Sequence, residues 1–342
     1  SNRNKIYING VQETSFEVET NATQNNDSAY NISGITYDIG AYNNSYYWDG
    51  YMSHFNFIDG IMYDASPFGS TDASTGEWKI TTTPNVTYGN NGFFILKDGN
   101  SVTDQSGNSN NGTASGNLTK SEDNPSNVFA IFNRLMIPGS MNYINGNTSV
   151  RPQANSVDFQ AASTLAFSSG KYYAEFKYLE NDGHQMYGIS TTEGASELLR
   201  NGQYPGQTTT SVAIYASNGS VYENNSATSY GSGFPNNAII MMAVDADNNK
   251  IYFGSNGTWY NSGNPSSGTN GYSFNATNLA GFKYMATGNG TIGYDNTDAN
   301  FGNGYFGTTA VSSAGSNASG HGIFEYDVPT GYTALCTKGL NE

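Results

Sequence analysis

The chain has 342 residues, 12% of them charged, with a net charge of −15 and 41 glycines, 26 tyrosines and 18 phenylalanines. That balance excludes a nucleic-acid partner held by phosphate contacts, which needs clustered Lys and Arg. No run approaches the roughly 18 apolar residues of a membrane-spanning helix, and a single cysteine, Cys336, excludes an internal disulfide.

The length exceeds what one core usually serves, so two domains are expected. Abundant Gly, Tyr, Asn, Ser and Thr with few helix formers predict short strands joined by many turns. The thinly spread acidity reads as solubility, and Cys336, inside the apolar run Tyr332-Thr333-Ala334-Leu335-Cys336, reads as a small buried hydrophobe. No signal peptide is visible. A start at Ser1 rather than Met suggests processing or a piece of something longer.

In chain order, Lys5-Ile6-Tyr7-Ile8-Asn9-Gly10-Val11 predicts a strand entering an Asn-Gly turn, followed by strands over 36–39, 51–58 and 92–97. The polar run 98–124 has almost nothing to bury and reads as a linker between a first domain, 1–97, and a second, 125–342. The second domain opens on the apolar run 128–137 and continues with strands over 164–167, 171–179, 185–190, 211–217 and 219–223. A hairpin over 238–253 and strands over 282–286 and 332–336 complete it. Residues 192–200 are the nearest approach to a helical pattern. In the hairpin, Asp245-Ala246-Asp247-Asn248-Asn249 forms the turn, and Asn256-Gly257 makes the next reversal just before Trp259. Short strands at this spacing predict an all-β protein of two antiparallel sandwiches with little or no helix.

Ordered blocks carry a resemblance over residues 125–340. They are Phe167-Ser168-Ser169-Gly170-Lys171-Tyr172-Tyr173-Ala174-Glu175-Phe176, Tyr187-Gly188-Ile189-Ser190, and Val244-Asp245 through Lys250-Ile251-Tyr252-Phe253 with Asn256-Gly257-Thr258-Trp259. Asn300-Phe301-Gly302 and Gly331-Tyr332-Thr333-Ala334-Leu335-Cys336-Thr337 close the order. This half resembles SPRY-type domains of the concanavalin-like jelly-roll class as they occur in bacteriophage virion proteins. The first half, through Trp48-Asp49-Gly50-Tyr51-Met52-Ser53-His54-Phe55-Asn56-Phe57-Ile58-Asp59-Gly60, then Phe68-Gly69, Gly76-Glu77-Trp78-Lys79, Tyr88-Gly89 and Asn91-Gly92-Phe93, resembles the C-terminal strands of laminin-G-like or concanavalin-like domains in phage appendage proteins. Several strands that such a domain carries before Ile6 are absent from this sequence. The paired resemblance implies a structural virion appendage, a tail or capsid fibre component. Its partners would be other virion proteins and a host-surface glycan or receptor, on the particle surface and as a homo-oligomer, trimeric by analogy. The alternative is a secreted or cell-surface bacterial lectin module.

No enzymatic activity is expected. Jelly-roll glycan hydrolases use paired carboxylates, and Glu175 has no evident partner, so a structural role is expected for it. His54, His184 and His321 lack metal-ligand spacing. Asp245, Asp247 and Asn249 stand at alternate positions but lack the Gly and terminal Glu of a calcium loop, and 104–111 is an equally weak match. No metal and no cofactor is expected. The remaining signal is aromatic. Tyr46, Tyr47, Trp48, Tyr204, Tyr222, Tyr230, Trp259 and Tyr260 lie in turn-rich contexts where a ring can stack on a sugar or anchor an interface. Trp259 has two readings, ligand contact or packing beneath its turn. The loops 201–210 and 261–272 are the expected presenting surface.

Overall fold

The computed structural model describes residues 4–18, 32, 34–42, 46–48, 52–73, 76–97, 101–116, 118, 122–125, 127–135, 141–152, 159–179, 183–191, 203–289 and 296–341. The chain divides into two compact units, Ser1–Ser126 and Asn127–Glu342. Among the described residues the secondary structure is strand, with only three short 3-10 turns. No helix there is long and apolar enough to cross a membrane. The 192–200 segment lies outside the described residues.

In the first unit, β1 (Tyr7–Ile8) and β2 (Val11–Gln12) flank a turn at Asn9 and Gly10, both at positive φ, as an Asn-Gly reversal requires. β3 (Ala41–Tyr42) and β4 (Tyr46–Tyr47) form a second hairpin. β5 (Phe55–Phe57) pairs with β8 (Phe93–Ile95), and between them β6 (Gly69–Thr71) pairs with β7 (Trp78–Ile80). These are four separate two-stranded ladders. Residues 36–39 form no strand. The strand expected over 51–58 is cut to β5 by His54, whose φ of 50° turns the chain out of extended geometry.

The polar run expected as a linker is instead folded onto this unit through its residues 101–112. The Asp104 carboxylate accepts the backbone N–H of Phe94, Ser106 and Asn110 and the Ser106 hydroxyl, at 2.8–2.9 Å. Asn108 and Asn110 donate to the carbonyls of Gly89, Asn90 and Gly92. Side-chain amides thus do the work that apolar burial does elsewhere, which hydrophobic patterning does not register.

The second unit contains β9 (Met141–Ile144), β10 (Ser149–Pro152), β11 (Phe159–Phe167), β12 (Lys171–Tyr178), β13 (Gln185–Thr191), β14 (Ser211–Tyr215), β15 (Ser220–Glu223), β16 (Ser226–Ser229), β17 (Ile239–Asp245) and β18 (Lys250–Ser255). The short β19 (Thr258–Trp259) and β20 (Tyr272–Ser273) follow, then β21 (Lys283–Asn289), β22 (Thr297–Asn300), β23 (Tyr305–Phe306), β24 (Thr309–Ala310) and β25 (Thr333–Ala334). One sheet runs β19-β18-β17-β12-β22-β10-β9, with β20 on β18 and β25 on β12. The other runs β11-β21-β13-β14-β15-β16. All pairs within both are antiparallel except β12 with β25.

Strand alternation sorts the side chains into layers. Ala174, Phe176, Ile240, Met242, Val244, Ile251 and Phe253 of the first sheet meet Tyr187, Ile189, Val212, Ile214, Val221 and Met285 of the second in one buried core. On the opposite face of the first sheet, Tyr173, Met241, Ala243 and Tyr252 pack against Phe324, Val328, Tyr332 and Cys336, so the late chain covers that face as a third layer. Cys336 is buried, as its apolar run implies, and its Sγ accepts the Gly339 N–H.

Glu175 fastens this layer. It is fully buried at 0% exposure. One carboxylate oxygen accepts the Tyr173 hydroxyl at 2.9 Å and the Tyr326 N–H at 2.8 Å; the other accepts the Glu325 N–H at 2.8 Å and the Asn300 amide at 3.4 Å. Asn300 in turn accepts the N–H groups of Gly302 and Gly304 and donates to the Ile323 carbonyl.

Candidate functional site: an aromatic row on the six-stranded sheet

The eight aromatic residues expected at a surface fall into four places. Tyr46, Tyr47 and Trp48 lie on the β3–β4 hairpin of the first unit at 71%, 72% and 63% exposure, with Tyr42 beside Tyr46 at 6.2 Å between ring centroids. Tyr230 departs from the expectation. It is buried at 6%, edge-on to Phe253, with its hydroxyl donating to the Asn270 carbonyl, and burial pushes its pKa up to about 12. Tyr260 stacks on Phe234 at 5.4 Å and packs against the core. Trp259 lies edge-on to Tyr173 at 6.3 Å against the covering layer, so of its two readings the structure shows the packing one.

Tyr222 is joined to two residues that the sequence did not single out, Tyr215 and through it His184, while Tyr204 reaches the turn after Tyr222. On β14, Val212 and Ile214 point into the core, so Tyr215 points to the outer face, and the register of Ala213 with Tyr222 carries the row onto β15. The Tyr215 and Tyr222 rings meet edge-to-face at 5.8 Å and 82°. His184, just before β13, places Nδ1 2.9 Å from the Tyr215 hydroxyl. The 203–208 segment runs alongside: the Gly206 backbone lies so near Tyr222 that a Cβ there would stand 2.8 Å from the Tyr222 carbonyl oxygen. Beyond it the Tyr204 hydroxyl donates to Asn225 Oδ1 at 3.3 Å. Asn224 and Asn225, at φ of 51° and 56°, form the tight β15–β16 turn and are exposed. His184, Tyr204, Tyr215 and Tyr222 are each half-buried, fixed by neighbours yet open on one side.

Half-open rings held edge to face, bordered by amides, suit a ligand with an apolar face and many hydroxyls. The signal for Tyr215 was available, as the last alternate residue of a strand whose other face is apolar. His184 offered none, since its partner is 31 residues away.

The carboxylates read in the sequence are committed to the fold. Both oxygens of Asp245 are taken, by the Asn248 backbone and side-chain amides and by Lys171 Nζ at 3.1 Å. Burial works to raise its pKa, but those bonds together outweigh burial and hold it below the usual carboxylate value. Asp247 caps the Gly170 N–H at 2.9 Å. The four bonds to Asp104 occupy its lone pairs. Among the described residues no three acidic, His or Cys side chains are placed to hold a metal ion. Glu175 has no solvent access. Burial pushes its pKa up to about 7, against the lowering effect of its four donors.

No protein-family pattern matches the chain. No curated protein matches it either. Among solved structures, the SPRY domain of human HERC1 is similar at a TM-score of 0.39 and 15% identity, over 49% of this chain and 96% of that one.

Proposed function

We propose that this chain is a non-enzymatic attachment module that holds a host-surface glycan on the outer face of its six-stranded sheet, as part of a phage tail or capsid fibre. The observation that carries the glycan reading is the row His184, Tyr215 and Tyr222, with Tyr204 beside it, cross-braced and half-open. The exposed Tyr46, Tyr47 and Trp48 hairpin gives the first unit a second aromatic surface of the same chemistry. The virion assignment is supported by the ordered sequence blocks and by a surface rich in Asn, Ser, Gly and Tyr. Its partners are other virion proteins, its setting is the particle surface, and copies of the chain assemble with one another, as a trimer by analogy.

A glycan array of bacterial surface polysaccharides, probed with the whole chain and with Tyr222→Ala, tests the binding surface. Retention by the wild type and its loss in the variant are expected; no retention of any glycan sinks the reading. Electron microscopy of virions labelled with an antibody to the chain tests the location. Glycan retention without label on particles would transfer the same surface to a secreted or cell-surface lectin.

A further inference from the structure

The β3–β4 hairpin of the first unit carries rings in a setting unlike that of the row on the six-stranded sheet. Tyr42 and Tyr46 face each other across its ladder, and Ala41 pairs with Tyr47. One step further the Trp48 N–H donates to the Gly40 carbonyl at 2.8 Å. Strand alternation therefore puts Tyr42, Tyr46 and Trp48 on one face, where Gly40, opposite Trp48, brings no side chain to cover the indole. Tyr47 lies on the other face. Tyr215 and Tyr222 are half-buried, whereas these four rings are 63–74% exposed.

A two-stranded ladder alone is at best marginal in water, and this one leaves its rings exposed on both faces. The unit around it shares the shortfall. Among the described residues its buried apolar side chains are Tyr88, Phe94 and Ile95, while every exposed large hydrophobic residue except Val128, Leu135, Ile144 and Phe282 belongs to 1–126. The stretch 39–48 also holds no charged residue, in a chain of net charge −15. Aromatic enrichment with charge depletion is the composition of the core of a protein interface.

We propose that the Tyr42, Tyr46 and Trp48 face packs against the same hairpin of a second copy of the chain. Three rings of about 150–250 Å² each, some seven-tenths exposed, offer about 300–500 Å², roughly half of the ~800 Å² that each partner brings to a stable interface. Tyr and Trp are also where binding energy concentrates. The absence of charge selects the occupant. Two copies, each at −15, meet there without opposing like charges, and a partner chosen by charge would find no group to hold. This rests on the reading that copies of the chain assemble with one another, and it names the surface that joins them.

Sedimentation equilibrium of the full chain tests it. The wild type is expected to self-associate as its concentration rises. The double variant Tyr46→Ser with Trp48→Ser is expected to associate at least tenfold more weakly, with its thermal midpoint in place. Burial of Trp48 between copies is expected to shift tryptophan emission to shorter wavelength, since Trp78 and Trp259 are already half-buried. Trp48→Phe, which keeps an apolar ring, is expected to retain association and lose that shift. Tyr222→Ala is expected to lose glycan retention and leave self-association unchanged, so the two ideas fail separately. A monomer at every concentration, association without the emission shift, or undiminished association of the folded double variant overturns the proposal. So does a monomeric wild type whose glycan retention falls in the double variant, which would make the hairpin a sugar surface.

Discussion

The carboxylate of Glu175 holds the backbone N–H of Tyr326 at 2.8 Å across 151 residues of chain. The adjacent N–H of Glu325 is held at the same distance by the other oxygen. A buried acid in the middle of a sheet is thus the clasp for a distant segment. Glu175→Gln replaces one acceptor oxygen with a donor aimed at a backbone N–H. At pH 5, where the folded acid is protonated, the expected cost is about 1–3 kcal/mol, the scale for a buried polar group left mismatched. Urea denaturation gives the total, and hydrogen exchange at Glu325 and Tyr326 is expected to accelerate more than exchange at Ile214. Uniform acceleration would remove the clasp from the explanation.

The same residue sets a pH dependence. Its folded pKa is raised from 4.5 to about 7, so between those values the folded state binds more proton than the unfolded one. Stability linked to Glu175 is therefore greatest below the unfolded value and is lost as pH rises through about 7, by up to about 3 kcal/mol. Urea midpoints at pH 5, 6, 7 and 8 are expected to fall along that series in the wild type and to flatten in Glu175→Gln. A wild-type midpoint that rises over the series contradicts this.

Asp104 is the corresponding anchor of the first unit. Asp104→Ala removes four acceptor contacts and frees the Phe94, Ser106 and Asn110 amides together. A loss of about 2–3 kcal/mol is expected, confined to residues 1–126. Exchange protection at Phe94 and Asn110 reports it, and unchanged protection there means the loop is held by something else.

Gly302 combines two constraints. Its φ is +125°, and a Cβ would stand 2.3 Å from the Phe129 ring. Gly302→Ala is expected to destabilise the second unit by about 3 kcal/mol or more, because both backbone and core must shift. Gly281→Ala, also at positive φ but with open space around it, is expected to cost only about 1 kcal/mol. Thermal melts compare the pair; equal losses would leave strain alone as the cause.

For the aromatic row, Tyr215→Ala and Tyr222→Ala are each expected to weaken glycan retention about tenfold, the scale of one aromatic contact. Both rings are half-buried, so the expected stability change is only about 1 kcal/mol. Retention by surface plasmon resonance and thermal melts separate the two effects. A stability loss that fully accounts for lost retention would mark the rings as structural.

The parts of the fold visible in the sequence were those whose cause is local. β12, β13, β17 and β18 combine apolar or aromatic runs with turns that their own side chains make, and all four were anticipated within a residue or two at most ends. β9, β10 and β22 were not. Thr297-Asp298-Ala299-Asn300 shows no apolar alternation, yet lies inside a sheet because Arg151 reaches Asp298 and Asn300 meets Glu175. The first half of β11 was missed for a related reason: Gln160-Ala161-Ala162-Ser163 carries small and polar side chains that only tertiary pairing makes extended. Among the aromatics, context showed which lie near turns, but only sheet register separates outward Tyr222 from buried Tyr230.

β25 pairs parallel with the N-terminal half of β12, along the edge whose other half belongs to β22. Residues 333–334 therefore fill a slot beside a strand that begins at residue 171. On a ribosome, that slot stays open while some 160 further residues are made. The six-stranded sheet waits for β21 to enter between β11 and β13, and the other sheet waits for β25, the last strand described. A prematurely terminated chain then keeps an unpaired edge, the kind of surface that draws chaperones or aggregates.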